Sequence, residues 1–133
     1  MYEAGREEFE RMVSEGVSAI PAKFRAKMDN VIFVVEDEPT AEQLDRQGGN
    51  KEYELYGLYE GVPLVERGAG YTNTVPDRIT IFQGPIQREA ESREDCARIV
   101  AETVWHEVAH HFGLDEERVL RAEKKRVGGV GGA

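Results

Sequence analysis

The chain has 133 residues, of which 40% are hydrophobic and 32% are charged. This length suits one domain with its own core, and the composition is that of a globular protein rather than a fibrous or low-complexity one. The 26 acidic and 17 basic residues give a formal charge of −9, which excludes the basic surface of a general nucleic-acid binder and disfavours contact with anionic membranes.

The cysteine content and the hydropathy pattern predict a cytoplasmic protein. Cys96 is the single cysteine, so the fold does not depend on an internal disulfide or an oxidising compartment. The sequence contains no apolar run of the roughly 18 residues that a membrane span needs. The first residues are acidic and lack the apolar stretch of a signal peptide.

The N-terminal part of the chain predicts a helix. Apolar residues recur there at steps of three and four, which places them on one face of a helix over about residues 5–20. The residues of this stripe are Phe9, Met12, Val13, Gly16, Val17 and Ile20. Pro21 ends the helix or begins a short second one that extends to Met28.

Three short segments have the composition of β-strands. Residues 31–35 form a continuous apolar run, which is typical of an inner strand covered on both faces. Residues 55–59 and 78–82 predict two further strands, and Gly84 and Pro85 end the second of them.

A long helix is predicted to begin after Ser92. Ser92 and the acid three residues later, Asp95, resemble a capping box, and Gly113 is placed to end the helix in the left-handed conformation. Residues 115–127 predict one more short helix.

The remaining segments predict loops and a tail around one domain. The polar, glycine-containing residues 45–54 and 66–77 predict a mobile segment and a surface loop. No internal repeat or long linker divides the chain. We therefore expect a single α+β domain over residues 1–127, followed by a disordered glycine-rich tail over 128–133.

The predicted long helix carries an H-E-x-x-H pattern at residues 106–110. On a helix, residues four apart project only about 40° apart, so the imidazoles of His106 and His110 can bind one metal ion together. Glu107 lies at the edge of the same face, where it can reach a water on that metal without being a ligand. The apolar residues of the helix lie on another side, so the pattern is suited to lining a cleft.

Two histidines are an incomplete site, because catalytic zinc usually has three protein ligands and a water. Gly113 can turn the chain back toward the metal at little steric cost. Glu116 then has the spacing of the third ligand in the longer form of the motif, and Asp115 is the neighbouring alternative. Both acids could instead serve only the first turn of the next helix, whose dipole favours them. The ligand types predict one Zn²⁺ per chain, although other divalent transition metals suit the same donors.

Other side chains carry weaker signals. His111 projects toward the apolar side of the helix, which favours a buried histidine over a third imidazole ligand. Tyr71, in the glycine-containing loop, is a candidate oxyanion or substrate contact, as are Tyr56 and Tyr59. Cys96 is expected to be a buried, inert thiol.

Four segments make the sequence similar to a family of short bacterial proteins described as candidate zinc metallopeptidases. These segments are residues 29–39, 57–67, 76–81 and 106–117. The resemblance implies a minimal zincin-like fold, in which an N-terminal helix and the H-E-x-x-H helix pack on a small mixed sheet of three to four strands.

The resemblance also implies roles for individual residues. His106 and His110 would be metal ligands, Glu107 the catalytic acid/base, and an acid after Gly113 the third ligand. Family members often have Asp at the third-ligand position where this chain has Glu116. That difference keeps the neighbouring Asp115 open as the ligand.

The leading hypothesis is a zinc-dependent hydrolase of peptide bonds that acts on a peptide or protein. The substrate is expected to lie extended along a strand edge, with residues 78–82 favoured and 55–59 second. One alternative is a non-catalytic metal-binding or protein-interaction module that keeps the fold, and another is a metal-free helical interaction protein. The sequence does not predict the oligomeric state.

Overall fold

The structure, a computed structural model, describes residues 1–46, 54–71 and 75–113. The predicted helix over 115–127, the tail over 128–133 and most of the predicted mobile segment over 45–54 lie outside the described residues. In chain order the elements are α1 (Arg6–Ser18), α2 (Ala22–Arg25), β1 (Val31–Glu36), α3 (Ala41–Arg46), β2 (Gly57–Glu60), a 3₁₀ helix (Leu64–Glu66), β3 (Asp77–Phe82), α4 (Gln83–Glu89) and α5 (Arg93–His111).

The strands form a mixed three-stranded sheet in the order β1-β3-β2. β1 runs parallel to β3, with Val31 opposite Asp77, and β2 runs antiparallel to β3, with Gly57 opposite Ile81. The predicted α+β class with a small mixed sheet is confirmed. Within the described ranges, no helix is long and apolar enough to cross a membrane.

The prediction of residues 31–35 as an inner strand is wrong. β3 is the central strand, and β1 lies at the edge of the sheet. Alternate side chains of β1, those of Val31, Phe33 and Val35, pack against the core, whereas Ile32 is 45% exposed. A continuous apolar run therefore marks a strand here but does not give its position in the sheet.

The core is formed between the two long helices and one face of the sheet. α1 packs along α5, and α5 packs against β2 and β3. The predicted stripe of α1 supplies its part of the core, and Ile79 and Ile81 supply that of β3. The buried core residues of α5 are Cys96, Ile99, Val100, Val104 and Val108. This packing fixes α5 against the sheet over most of its length.

The sequence interpretation missed two short helices. At the start of α3, the Gln43 N–H donates to the Thr40 hydroxyl at 3.1 Å and the Thr40 N–H donates to the Gln43 side chain at 2.8 Å, which is a capping box. In α4, Gly84 and Pro85 fall in the first turn, where a missing N–H costs nothing. The Gly-Pro pair that follows β3 therefore begins a helix.

A buried carboxylate connects β3 to three other parts of the fold. Asp77, the first residue of β3, is only 2% exposed. It accepts hydrogen bonds from the Tyr59 hydroxyl, from Arg67 Nη2 at 2.7 Å and from His111 Nδ1 at 3.0 Å. One carboxylate therefore ties together β2, the segment after the 3₁₀ helix and the end of α5.

Asp29 extends this network to the segment before β1. Its side chain and backbone oxygens accept from Arg67 Nη1 at 3.2 and 3.3 Å, and its backbone N–H donates to His111 Nε2 at 3.3 Å. Because Nε2 accepts, the proton of His111 is on Nδ1 and the ring is neutral. Burial lowers the pKa of His111, although the neighbouring Asp77 partly opposes this.

We expect Asp77→Asn to lower the free energy of unfolding by about 3–5 kcal/mol, because it removes the buried counter-charge of Arg67 and leaves only the exposed Asp29 as its acidic partner. Urea denaturation at pH 7 measures this change. The matched control is Arg78→Gln, which removes a pair with Glu36 at the protein surface and should cost less than about 1 kcal/mol. Equal costs for the two variants would contradict the role assigned to Asp77.

Comparison of the parent chain with Asp77→Asn at different pH values tests the ionisation of Asp77. Burial raises its pKa, but hydrogen bonds from Tyr59, Val62 and His111, with the charge of Arg67, outweigh burial and hold the pKa below its usual value. The stabilisation is therefore complete above the unfolded pKa of about 3.9 and is lost as the pH falls through the lower folded pKa. The stability difference between the parent chain and Asp77→Asn should shrink below about pH 4 and not before.

Candidate metal centre

α5 carries the candidate site. The residues that begin and end this helix are the ones that the sequence pattern predicted. Ser92 is the N-cap, and its side chain accepts a hydrogen bond from the Asp95 N–H at 3.0 Å, as predicted. Asp95 Oδ2 accepts from the N–H of Glu91 at 2.9 Å instead of from that of the N-cap residue. Gly113 follows the helix with φ +94°, so the predicted left-handed end is confirmed.

The two histidines of the motif lie side by side near the end of α5. The ring centroids of His106 and His110 are 5.1 Å apart, with 66° between the ring planes. Both side chains are partly exposed, so an ion can reach them. Two imidazoles one turn apart are a donor pair that suits zinc, and their role as ligands stays a prediction.

Glu107 is held where α5 meets the start of β2. The residue is 8% exposed, and the backbone of Gly57 lies directly against it. A Cβ at position 57 would stand 2.6 Å from Thr103 Cγ2 and 3.2 Å from Glu107 Cγ. Only glycine therefore lets β2 approach the helix this closely, and the contact restricts the Glu107 side chain at its Cγ atom.

A cleft of about 390 Å³ opens beside these residues. Its walls include His106, Glu107 and Thr103 of α5, together with Tyr56 and Gly57. The candidate acid/base and one candidate ligand therefore face a space that a substrate can enter.

The structure corrects the predicted position of the substrate. Both edges of β3 are paired, one with β1 and one with β2, so residues 78–82 have no free edge and that prediction is wrong. β2, which corresponds to the second choice at 55–59, begins two residues later than predicted and pairs on one side in the described sheet. It is also the strand that borders Glu107.

Both candidates for the third ligand, Glu116 and Asp115, follow Gly113 and lie outside the described residues. Within the ranges 1–46, 54–71 and 75–113, no three His, Cys, Asp or Glu side chains come together as a metal site. Gly113 itself packs closely on the 3₁₀ helix, because a Cβ there would stand 2.3 Å from Val65 Cγ2. The choice between Glu116 and Asp115 stays a prediction.

His111 and Cys96 are buried, as the sequence analysis predicted. Both ring nitrogens of His111 are used within the protein, and the side chain is 0% exposed, so it is not available as a third imidazole ligand. Cys96 is also 0% exposed, and burial raises the pKa of its thiol. A buried thiol of this kind is inert toward nucleophilic chemistry.

The three candidate tyrosines have different surroundings. The Tyr59 hydroxyl donates to Asp77 and therefore has a structural partner. Tyr71 lies under Arg67, whose guanidinium carbon is 4.9 Å from the ring centroid, and its predicted catalytic role stays a prediction. Tyr56 shares the cleft with His106 and Glu107.

The sequence analysis missed Gly57 and Asp77. A glycine in an apolar strand is a signal of close backbone approach, so the contact of Gly57 with α5 could have been predicted from the sequence. Asp77 has no local signal, since its partners Arg67, Tyr59 and His111 are 10, 18 and 34 residues away in the chain.

Comparisons with known proteins support the same fold. A family model described as "Zincin-like metallopeptidase" matches residues 28–126, well over half of the chain. Among solved structures, the chain is similar to a conserved hypothetical protein from Thermus thermophilus, with a TM-score of 0.55 and 22% identity, over 92% of this chain and 99% of that one. At this identity the likeness concerns the fold alone. No curated protein matches the sequence.

We expect Gly57→Ala to lower the free energy of unfolding by about 1–3 kcal/mol, because the added methyl group overlaps Thr103. Thermal or urea denaturation measures the loss. The second change Thr103→Ser removes the Cγ2 atom and should recover part of the stability. Gly68→Ala is the matched control, since a Cβ there meets nothing within 4 Å. Equal losses at positions 57 and 68 would contradict the close approach of β2 to α5.

Proposed function

Because the chain belongs to the zincin-like metallopeptidase family, we propose that it is a zinc-dependent peptidase. Membership of this family implies zinc binding. The ligands in this proposal are His106, His110 and Glu116, with one Zn²⁺ per chain, and Glu107 is the general base. The observation that carries the proposal is a pair of adjacent imidazoles, of which that of His106 lines the same cleft as Glu107.

The chemical donors of this site fit zinc. Imidazole nitrogens and a carboxylate oxygen are the usual protein ligands of catalytic zinc. When bound, the ion supplies a nucleophilic water near neutral pH and polarises the carbonyl of the substrate. A neutral His111 beside His110 adds no positive charge that would oppose the ion.

Glu107 performs the proton transfers in this proposal. Its carboxylate accepts a proton from the attacking water and delivers it to the nitrogen of the leaving amine. The contact of Gly57 with Glu107 Cγ limits the rotamers of this side chain, which favours the alignment that proton transfer needs. Tyr71 is proposed as a substrate or oxyanion contact.

The substrate we propose is a peptide or protein segment that lies extended along β2. A strand with an unpaired edge can add an extended peptide through backbone hydrogen bonds, and β2 borders both Glu107 and the cleft. A cytoplasmic location is part of the proposal, supported by a single buried cysteine that needs no oxidising compartment.

Substitution of the general base tests the reaction. Glu107→Gln should lower the rate of peptide cleavage by about 10²–10⁴-fold while one zinc per chain remains bound. Cleavage is measured by mass spectrometry on a peptide library with the zinc-loaded protein, and a chelator control shows dependence on the metal. Parent-like cleavage by the variant would reject Glu107 as the base. Bound zinc with no cleavage by the parent would favour the non-catalytic metal-binding module.

Zinc affinity distinguishes the two candidates for the third ligand. Glu116→Gln should weaken zinc binding by at least about 100-fold, more than the loss of an outer partner costs, whereas Asp115→Asn should bind zinc like the parent. Competition with a fluorescent chelator measures both affinities. The reverse order would assign Asp115 as the ligand, and two parent-like affinities would exclude both acids.

A further inference from the structure

The cleft beside Glu107 extends well beyond the candidate metal ligands. Its walls on α5 begin at Arg98 and end at Glu107, with side chains from each of three successive turns. At about 1.5 Å per residue, this stretch is roughly 12–14 Å long. The space is therefore large enough for a whole substrate side chain next to the bond that is cut.

The floor and the rim of this cleft differ in chemistry. Ile99, Thr103 and Gly57 provide a largely apolar floor, whereas Glu89 at the end of α4 and Glu102 on α5 are acids that line the same space. Such a lining accommodates a long side chain with an apolar stem and a polar end.

The acids of the cleft are not neutralised by its arginine. Arg98 is held on its own helix by Asp95 at 2.5 Å and by Glu102 at 3.1 Å. Two carboxylates thus share one guanidinium. Glu89 forms no ion pair in the part of the chain that the structure describes. Glu89 and Glu102 thus line the cleft with only Arg98 opposite them in charge among the described lining residues, so the rim has an excess of negative charge.

Tyr56 adds an aromatic surface close to these charges. Its side chain lines the same cleft as Glu89. Burial raises the pKa of the Tyr56 hydroxyl, and the negative charges of Glu89 and Glu54 raise it further. Glu54 shares Arg88 with Glu38, at 2.8 Å from each acid. An aromatic ring beside carboxylates is a favourable environment for a cationic group.

We propose that this cleft binds a basic side chain, lysine or arginine, of a peptide substrate next to the scissile bond. The inference rests on the proposed peptidase function and adds its substrate class. The alkyl stem of the side chain packs on the apolar floor, and its charged end meets Tyr56 and Glu89. An acidic side chain is repelled by the same charges.

The test compares four labelled peptides that are identical except for a central arginine, citrulline, leucine or glutamate. Citrulline matches arginine in shape but lacks its charge. Affinities are measured by fluorescence polarisation with zinc-loaded Glu107→Gln, which holds the peptides without rapid cleavage, and kcat/KM is measured with the parent. We expect the arginine peptide to exceed citrulline by about tenfold, the usual size of a charge-assisted hydrogen bond, and glutamate to be weakest.

A charge-reversing variant identifies the group responsible. Glu89→Lys should remove the preference for arginine over citrulline and strengthen binding of the glutamate peptide. Glu91→Lys is the matched control, because it makes the same change in net charge two residues away and outside the cleft. Its preference for arginine should stay at the parent value. Equal effects of the two variants would overturn the assignment to Glu89.

The outcomes separate this inference from the function on which it rests. If the parent cleaves all four peptides equally and the variant binds them equally, the peptidase function stands and the basic-side-chain cleft is rejected. If no peptide is cleaved but arginine still binds about tenfold better than citrulline, the cleft stands and the peptidase function is rejected. Strongest binding of the leucine peptide would identify an apolar pocket and reject the proposal.

Discussion

Asp77 places an ionised group in the interior, at the start of the central strand, where Tyr59, Arg67 and His111 hold it. A buried charge is tolerated only when its partners replace the lost water, so these elements must come together in one arrangement. His111 directly follows His110 in the chain. The last turn of α5, and with it one imidazole of the candidate metal centre, is therefore positioned by a carboxylate that takes no part in the proposed chemistry.

The other side of the candidate centre is fixed by shape rather than by charge. The missing side chain of Gly57 lets β2 lie against Thr103 and Glu107. The apolar side of α5 is held by its contacts with the hydrophobic core. Side chains on a helix that is supported in this way keep their relative positions better than side chains on loops. The part of α5 that carries the two imidazoles and the carboxylate is thus held in place, and in the proposed function the segment after Gly113 completes the site.

Features encoded by near neighbours could be predicted from the sequence. The apolar stripe of α1, the Ser92 cap of α5 and the adjacent placement of His106 and His110 each follow from spacing on a helix. The order of the strands could not be predicted, because it depends on pairing between distant segments. α4 escaped detection because Gly-Pro is compatible both with the end of a strand and with the first turn of a helix.

The reactivity of Cys96 toward thiol reagents can be used to measure local opening of the protein core. The thiol is the single one in the sequence and lies in the hydrophobic core, on the first turn of α5. Alkylating reagents attack the exposed thiolate, so in the native state they gain access only when the packing around the start of α5 opens. The rate of modification therefore reports how often this part of the core opens. The same protection means that a cysteine introduced at the rim of the cleft can be labelled selectively, which allows a spectroscopic probe to be placed beside α5 while the native thiol is kept.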